Sequence, residues 1–130
     1  MKASSPVRAC WNAAMARLDI AGALAQARRL VGRANKYIEE AQPWTLAKNA
    51  DPRLGTVCRN LLESIRVSTL LLNPVIPRAT AVVARDLGIT ISGDVAEALR
   101  RWDVLASGDS IGVGDILFPR LDRATVLGDA

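Results

Sequence analysis

The stretch ANKYIEEAQPWTLAK, Ala34 to Lys48, decides how the rest of the chain is read. Its first half continues a helical pattern, and Pro43 stops that helix because proline lacks a backbone N–H and its ring clashes with the preceding turn. Trp44 therefore stands just past a helix end, where an indole can present a flat face, and a short basic segment ending in Lys48 follows. Upstream, Ile20, Leu24, Ala27, Val31, Ala34, Ile38 and Ala41 alternate four and three residues apart, which predicts one apolar stripe facing a neighbour. Asp19 is the expected N-cap of that helix. The stripe is rich in alanine, so a partner helix can approach closely.

Further signals extend the pattern in both directions. Val7, Cys10, Trp11, Ala14 and Leu18 predict a lead-in helix over about Pro6–Arg17. Asp51-Pro52 opens the next helix with a cap and a proline in the first turn. Leu54, Val57, Cys58, Leu61, Leu62, Ile65, Leu71 and Leu72 then cover a wide apolar arc, as in a central helix. Asn73-Pro74 ends it. Pro77 restarts a helix to Leu87, closed by Gly88 as a left-handed cap. Ser92 or Asp94 is expected to cap a short helix through Arg101, with Trp11 and Trp102 as packing residues. SGDSIGVGD reads as a loop, and ILFPRLD as an extended tail that Leu117 and Phe118 pin to the bundle. The fold class is all-α, an antiparallel helical bundle with an extended C-terminal strap. Residues 1–18 form the lead-in, 19–102 the bundle, and 103–130 the loop and strap.

Composition agrees with one helical domain. Half of the 130 residues are apolar but only 4% are aromatic, so the core must be built from Ala, Leu and Val. No window holds about 18 uncharged apolar residues, so no membrane span is expected. The N-terminus lacks the sustained apolar run of a signal peptide. Cys10 and Cys58 have no metal-ligand spacing and read as small helix hydrophobes, reduced, in a cytoplasmic protein. The net charge of +4 is uneven: Met1–Arg66 holds eleven Lys/Arg against five Asp/Glu, the remainder six against eight. A basic half attracts polyanions through phosphates, although surface arginines that keep an Ala-rich domain soluble would look the same.

Catalytic chemistry finds little to use. The chain has no histidine, which removes His-based triads, His metal sites and the commonest general acid–base group. Glu39 and Glu40 are helix neighbours diverging by about 100° and share no site. Gly108, Gly112 and Gly114 are not followed by the Lys-Ser/Thr of a phosphate loop. Neither a catalytic set nor a cofactor is expected in this chain, so the residues point to a binding or structural module.

Three segments carry a resemblance: ANKYIEEAQPWTLAK, LLLNPVIPRAT at Leu70–Thr80, and GDILFPRLD at Gly114–Asp122. In this order and spacing they resemble the anticodon-binding domain of methionyl-tRNA synthetases, from about Arg17 onward. PWTLAK and LFPRLD favour the methionyl member over leucyl, isoleucyl, valyl or cysteinyl relatives. The resemblance implies that Trp44 stacks on an anticodon base, a contact of roughly 1–3 kcal/mol in single-stranded recognition. Physics alone allows the opposite, a Trp44 folded back as a plug over the bundle end. Asn35 is expected to be partly buried, tying the helix to the chain beyond Trp44 or orienting the corner rather than touching a base. Glu39 is either a solvated charge or an acidic neighbour of the anticodon pocket. Arg33, Lys36 and Lys48 flank the corner and as a cluster can meet phosphates.

The implied partners are the anticodon stem-loop of methionine tRNA and the catalytic domain of the same enzyme. ATP and Mg belong to the complete enzyme, whose HIGH and KMSKS-like signatures this chain lacks. The family's Gly-Asn-Leu…Arg helix does not precede Trp44 either. The expectation is a partial anticodon-binding domain with a seam open to self-association or to a partner. The alternative is a helical interaction module that no longer reads tRNA.

Overall fold

The computed structural model describes residues 4–91, 95–102, 104–105, 110–114 and 116–120. Among the described residues six helices follow in order: α1 (Ser4–Ala16), α2 (Ile20–Ala41), α3 (Pro43–Lys48), α4 (Arg53–Leu72), α5 (Pro77–Asp86) and α6 (Val95–Ala98). There is no strand among the described residues. The expected all-α class is what the chain adopts. α2 packs against α1 and α4, and α4 also touches α3, α5 and α6, so α4 is the central helix its wide apolar arc predicts.

The helix boundaries follow from local chemistry. Asp19 caps α2 by accepting the Gly22 N–H at 2.8 Å. A Cβ at Gly22 would lie 2.1 Å from Asp19 Oδ2, so a larger residue there would displace the capping carboxylate. Pro52 already has helical dihedrals, and the Asp51 carboxylate accepts the Arg53 amide at 2.9 Å, the capping role expected of it. Gly88 closes the turn after α5 with φ +67°, a conformation that costs glycine nothing. Thr80, on α5, lies 2.9 Å from Asn73 Oδ1 and links α5 to the end of α4.

The core joins α1, α2, α4 and the end of α6: Val7, Trp11, Ala23, Ala27, Leu30, Val67, Leu71 and Leu99, with Trp102 packed on its edge. Both Trp11 and Trp102 are thus packing residues. The stripe on α2 is rotated from the one its spacing predicts. Ala23, Ala27 and Leu30 are buried, while Ile20 and Val31 are exposed. Ile-Leu-Val spacing alone cannot tell which edge of a two-sided helix meets α1, and the small residues Ala23 and Ala27 permit the closer approach. Leu18 is also outside: α1 ends at Ala16, Leu18 takes φ 59°, and the Asp19 N–H bonds back to Ala14 O. Cys10 and Cys58 are exposed free thiols rather than buried hydrophobes.

On α4 the surprise is polar. Glu63 and Arg66 are both buried and paired, Nε to Oε2, at 2.9 Å. Arg66 donates to the Ala98 and Arg101 carbonyls, and Glu63 Oε1 accepts the Val104 and Leu105 N–H groups at 2.8 Å each. Ser64, Ser68 and Thr69 are buried with their hydroxyls on carbonyls four residues back, which satisfies them within the helix. Ile65, counted in the apolar arc, is exposed instead.

Beyond α6 the described residues form no helix, as Pro119 demands. Gly112 N–H donates to Asp86 O at 2.7 Å, so this segment runs beside the end of α5. Leu117 and Phe118 line a shallow groove with Arg78 and Arg85 but stay exposed, a looser contact than a pin. Ser92 and Asp94, the expected caps of α6, and residues 121–130 lie outside the described residues.

Candidate nucleic-acid interface

The α2–α3 corner is made by Gln42. Its N–H donates to Ile38 O as the last bond of α2, while its carbonyl accepts the Thr45 N–H at 2.8 Å and begins α3. Serving both helices requires a left-handed residue, and Gln42 has φ 46° and ψ 63°. Pro43 then occupies the first position of α3, where its missing N–H costs nothing. The short basic segment is therefore a helix and not an irregular tail. Proline ended one helix and opened another.

That register orients the indole. Residues two apart on a helix diverge by about 200°. Leu46 faces inward and is 8% exposed, lining with Val57 and Tyr37 the junction of α2, α3 and α4. Trp44 consequently faces away and is 59% exposed. Leu46 is the plug, and Trp44 is free of that duty. Lys48 follows Trp44 by four residues and shares its side of α3.

Beside the corner a groove of about 400 Å³ opens between the three helices, lined by Tyr37, Glu40, Ala41, Leu46, Arg53, Thr56 and Val57. Asn60 Nδ2 donates to the Tyr37 hydroxyl at 3.3 Å, bridging α2 and α4. At the rim Arg53 forms a 2.8 Å ion pair with Asp51. Hydrogen bonding from the Arg53 side chain, then from its amide, holds the Asp51 carboxyl below the ordinary aspartate value.

The other expected residues lie on α2. Asn35 is exposed, which corrects the expected partial burial. Once Ala34 rather than Val31 lies toward the seam, Asn35 is turned about 100° outward. No hydrogen bond joins Asn35 to the chain beyond Trp44 among the described residues. Glu39 and Arg33 are exposed as well. Lys36 closes on Glu40 at 3.6 Å across one turn. The structure thus brings Lys36 to Glu40 and Lys48 to the side of Trp44, and leaves Asn35 unattached to the corner. The groove between Tyr37 and Leu46 was not expected. The helical register of PWTLAK is the signal that would have found Leu46.

The described residues thus form an all-α domain with an aromatic corner held out beside a helix that carries several exposed cations. The family model for the anticodon binding domain of methionyl tRNA ligase matches residues 2–126. The chain is 42% identical over 110 residues to the methionine–tRNA ligase of Caldanaerobacter subterraneus subsp. tengcongensis, covering 83% of this chain and 17% of that protein. It is 37% identical over 110 residues to the Clostridium tetani ligase, with the same coverage. The Bacillus subtilis ligase is 35% identical over 119 residues, covering 86% and 17%. No solved structure matches. The chain belongs to the methionyl-tRNA ligase anticodon-binding family, and it spans about 17% of the length of these relatives. No helix among the described residues is long and apolar enough to cross a membrane.

Proposed function

We propose that this chain holds the anticodon stem-loop of methionine tRNA, with Trp44 stacking on an unpaired anticodon base. The observation that carries this reading is the exchange of roles on α3, where Leu46 seals the bundle and leaves the indole exposed. A flat ring in water gains roughly 1–3 kcal/mol from a stacked base. Lys48 on the same side of α3 supplies a cation for the adjoining phosphate. Arg33 and Lys36 add to the positive field, and the exposed Lys36–Glu40 pair is weak enough to open for a phosphate. In this reading Glu39, exposed on α2, neighbours the anticodon loop, and Asn35 is a surface residue of the same helix. In a complete ligase, ATP-dependent activation of methionine and its transfer to tRNA take place on another domain, where ATP and Mg bind. This domain positions the tRNA for that reaction.

Titration of the chain with a methionine anticodon stem-loop and with the same hairpin carrying an altered anticodon tests the reading. Discrimination between the hairpins, lost in Trp44→Ala, is expected. Equal affinity for both in the wild-type chain would leave the interaction-module alternative.

A further inference from the structure

We propose that a second site, toward the far end of α4 from the Trp44 corner, takes a small carboxylate carried on a short aliphatic chain. A cavity of about 440 Å³ lies there between α4, the turn that follows α5 and the chain around α6. Small-molecule sites run from about 300 to 1,000 Å³. From Val57, at the corner groove, to Arg66, at this cavity, is about 14 Å of helix. The two hollows are separate.

Arg66 selects the ligand. Its side chain is 4% exposed and lines the cavity. A guanidinium carries five N–H donors, and three of them are used here: Nε on Glu63, Nη1 on Ala98 O and Nη2 on Arg101 O. Two N–H donors therefore have no partner among the described residues. Ala98 and Arg101 also line the cavity, so the end of the guanidinium lies at its wall. A buried charged donor gains most from an anionic acceptor, and a carboxylate matches the planar fork.

Charge and polarity narrow the choice. Arg66 is offset by Glu63 at 2.9 Å, and Arg100 by Glu97 at 3.4 Å. Arg101, exposed at the rim, is the remaining cation of the described cavity residues, which suits a ligand with one negative charge. Leu70 and Leu105 are buried and give the cavity an apolar side. That surface gains nothing from a fully hydrated anion but gains from a few methylene groups. The carboxylate meets Arg66 and Arg101, and the chain lies against Leu70 and Leu105. Two sources share this chemistry: a short-chain fatty acid, and an aliphatic α-amino acid whose ammonium group meets Glu97.

The test is an NMR titration of the isotope-labelled 130-residue chain with hexanoate, hexylamine and 2-aminohexanoate. Hexanoate is expected to shift the amides of Gly88, Ile89, Thr90 and Leu105 saturably, with a Kd of about 1 mM for so small a ligand. Hexylamine, the same chain with the opposite charge, should bind at least about tenfold more weakly. Arg66 stays intact because it also holds the fold. Arg101 and Thr90 are exposed, so their variants keep it. Arg101→Gln should weaken hexanoate about fivefold, and Thr90→Phe should abolish binding by filling the mouth. Arg17→Gln, which removes the same charge elsewhere, should change nothing. Tighter binding of 2-aminohexanoate than of hexanoate, lost in Glu97→Gln, supports the site and assigns it to amino acids; weaker binding supports it and assigns it to simple acids. No saturable shift at about 50 mM, equal binding of hexylamine, an unchanged Arg101→Gln, or shifts centred on Tyr37 and Val57 overturns the site.

Discussion

Glu63 and Arg66, one turn apart on α4, form a 2.9 Å ion pair in the interior, and both side chains also hold the backbone that follows α6. Each charge is compensated only while the other is present. Removing one leaves a buried charge unpaired, a loss of about 3–5 kcal/mol, against only a small gain from an exposed pair. Glu63→Ala is therefore expected to destabilise the fold by that amount in urea denaturation. The change should also release Trp102, seen as a shift of its fluorescence.

Leu30 and Val31 test the orientation of α2. Leu30 is fully buried and Val31 is 39% exposed. Leu30→Ala should cost about 2–5 kcal/mol by thermal or urea unfolding, and Val31→Ala less than about 1 kcal/mol. The opposite order would restore the stripe predicted from spacing.

Trp44 separates binding from stability. Because the ring is largely in water, Trp44→Ala should change unfolding free energy by no more than about 0.5 kcal/mol. Anticodon stem-loop affinity should drop by about 1–3 kcal/mol, read by titration. A loss of stability as large as the loss of affinity would make the indole a packing residue.

Gln42 is a non-glycine residue in the left-handed region at the corner. Gln42→Gly should raise stability by about 0.5–1 kcal/mol by relieving that conformation, measured by chemical denaturation.

Asp51 gives a pH signature. Its folded-state value is depressed by the Arg53 side-chain and amide hydrogen bonds. A carboxyl depressed on folding stabilises fully above its unfolded value, and that contribution disappears as pH falls through the lower folded value. In Arg53→Ala the Asp51 carboxyl should titrate higher, nearer the ordinary aspartate range, by NMR. The acid limb of stability should flatten below about pH 4.

Much of the architecture was legible along the chain because it rests on local rules. The Asp19 cap, the Pro43 break, the Asp51-Pro52 opening, the Pro77 restart and the Gly88 cap all involve residues within one turn of each other. The candidate site was legible less evenly. Trp44 was found as a residue, but its direction was left open between plug and stacking ring. Asn35 was placed wrongly, because the buried face of α2 is turned toward Ala23 and Leu30, which carries a half-buried amide out to the surface. The buried Glu63–Arg66 pair left no signal in the sequence, since its partners at Ala98, Arg101, Val104 and Leu105 lie more than thirty residues away.

The sequence by itself determined the helical class, the helix ends and the family, because periodicity, caps and prolines act over three to seven residues and the quoted segments are specific. Tertiary structure alone decided which face of α2 is inside, that Leu46 rather than Trp44 seals the bundle, and that two charges could be buried on α4. Those outcomes depend on which surfaces meet across the bundle and on whether distant carbonyl and N–H groups arrive to satisfy them. No window along the chain contains that information.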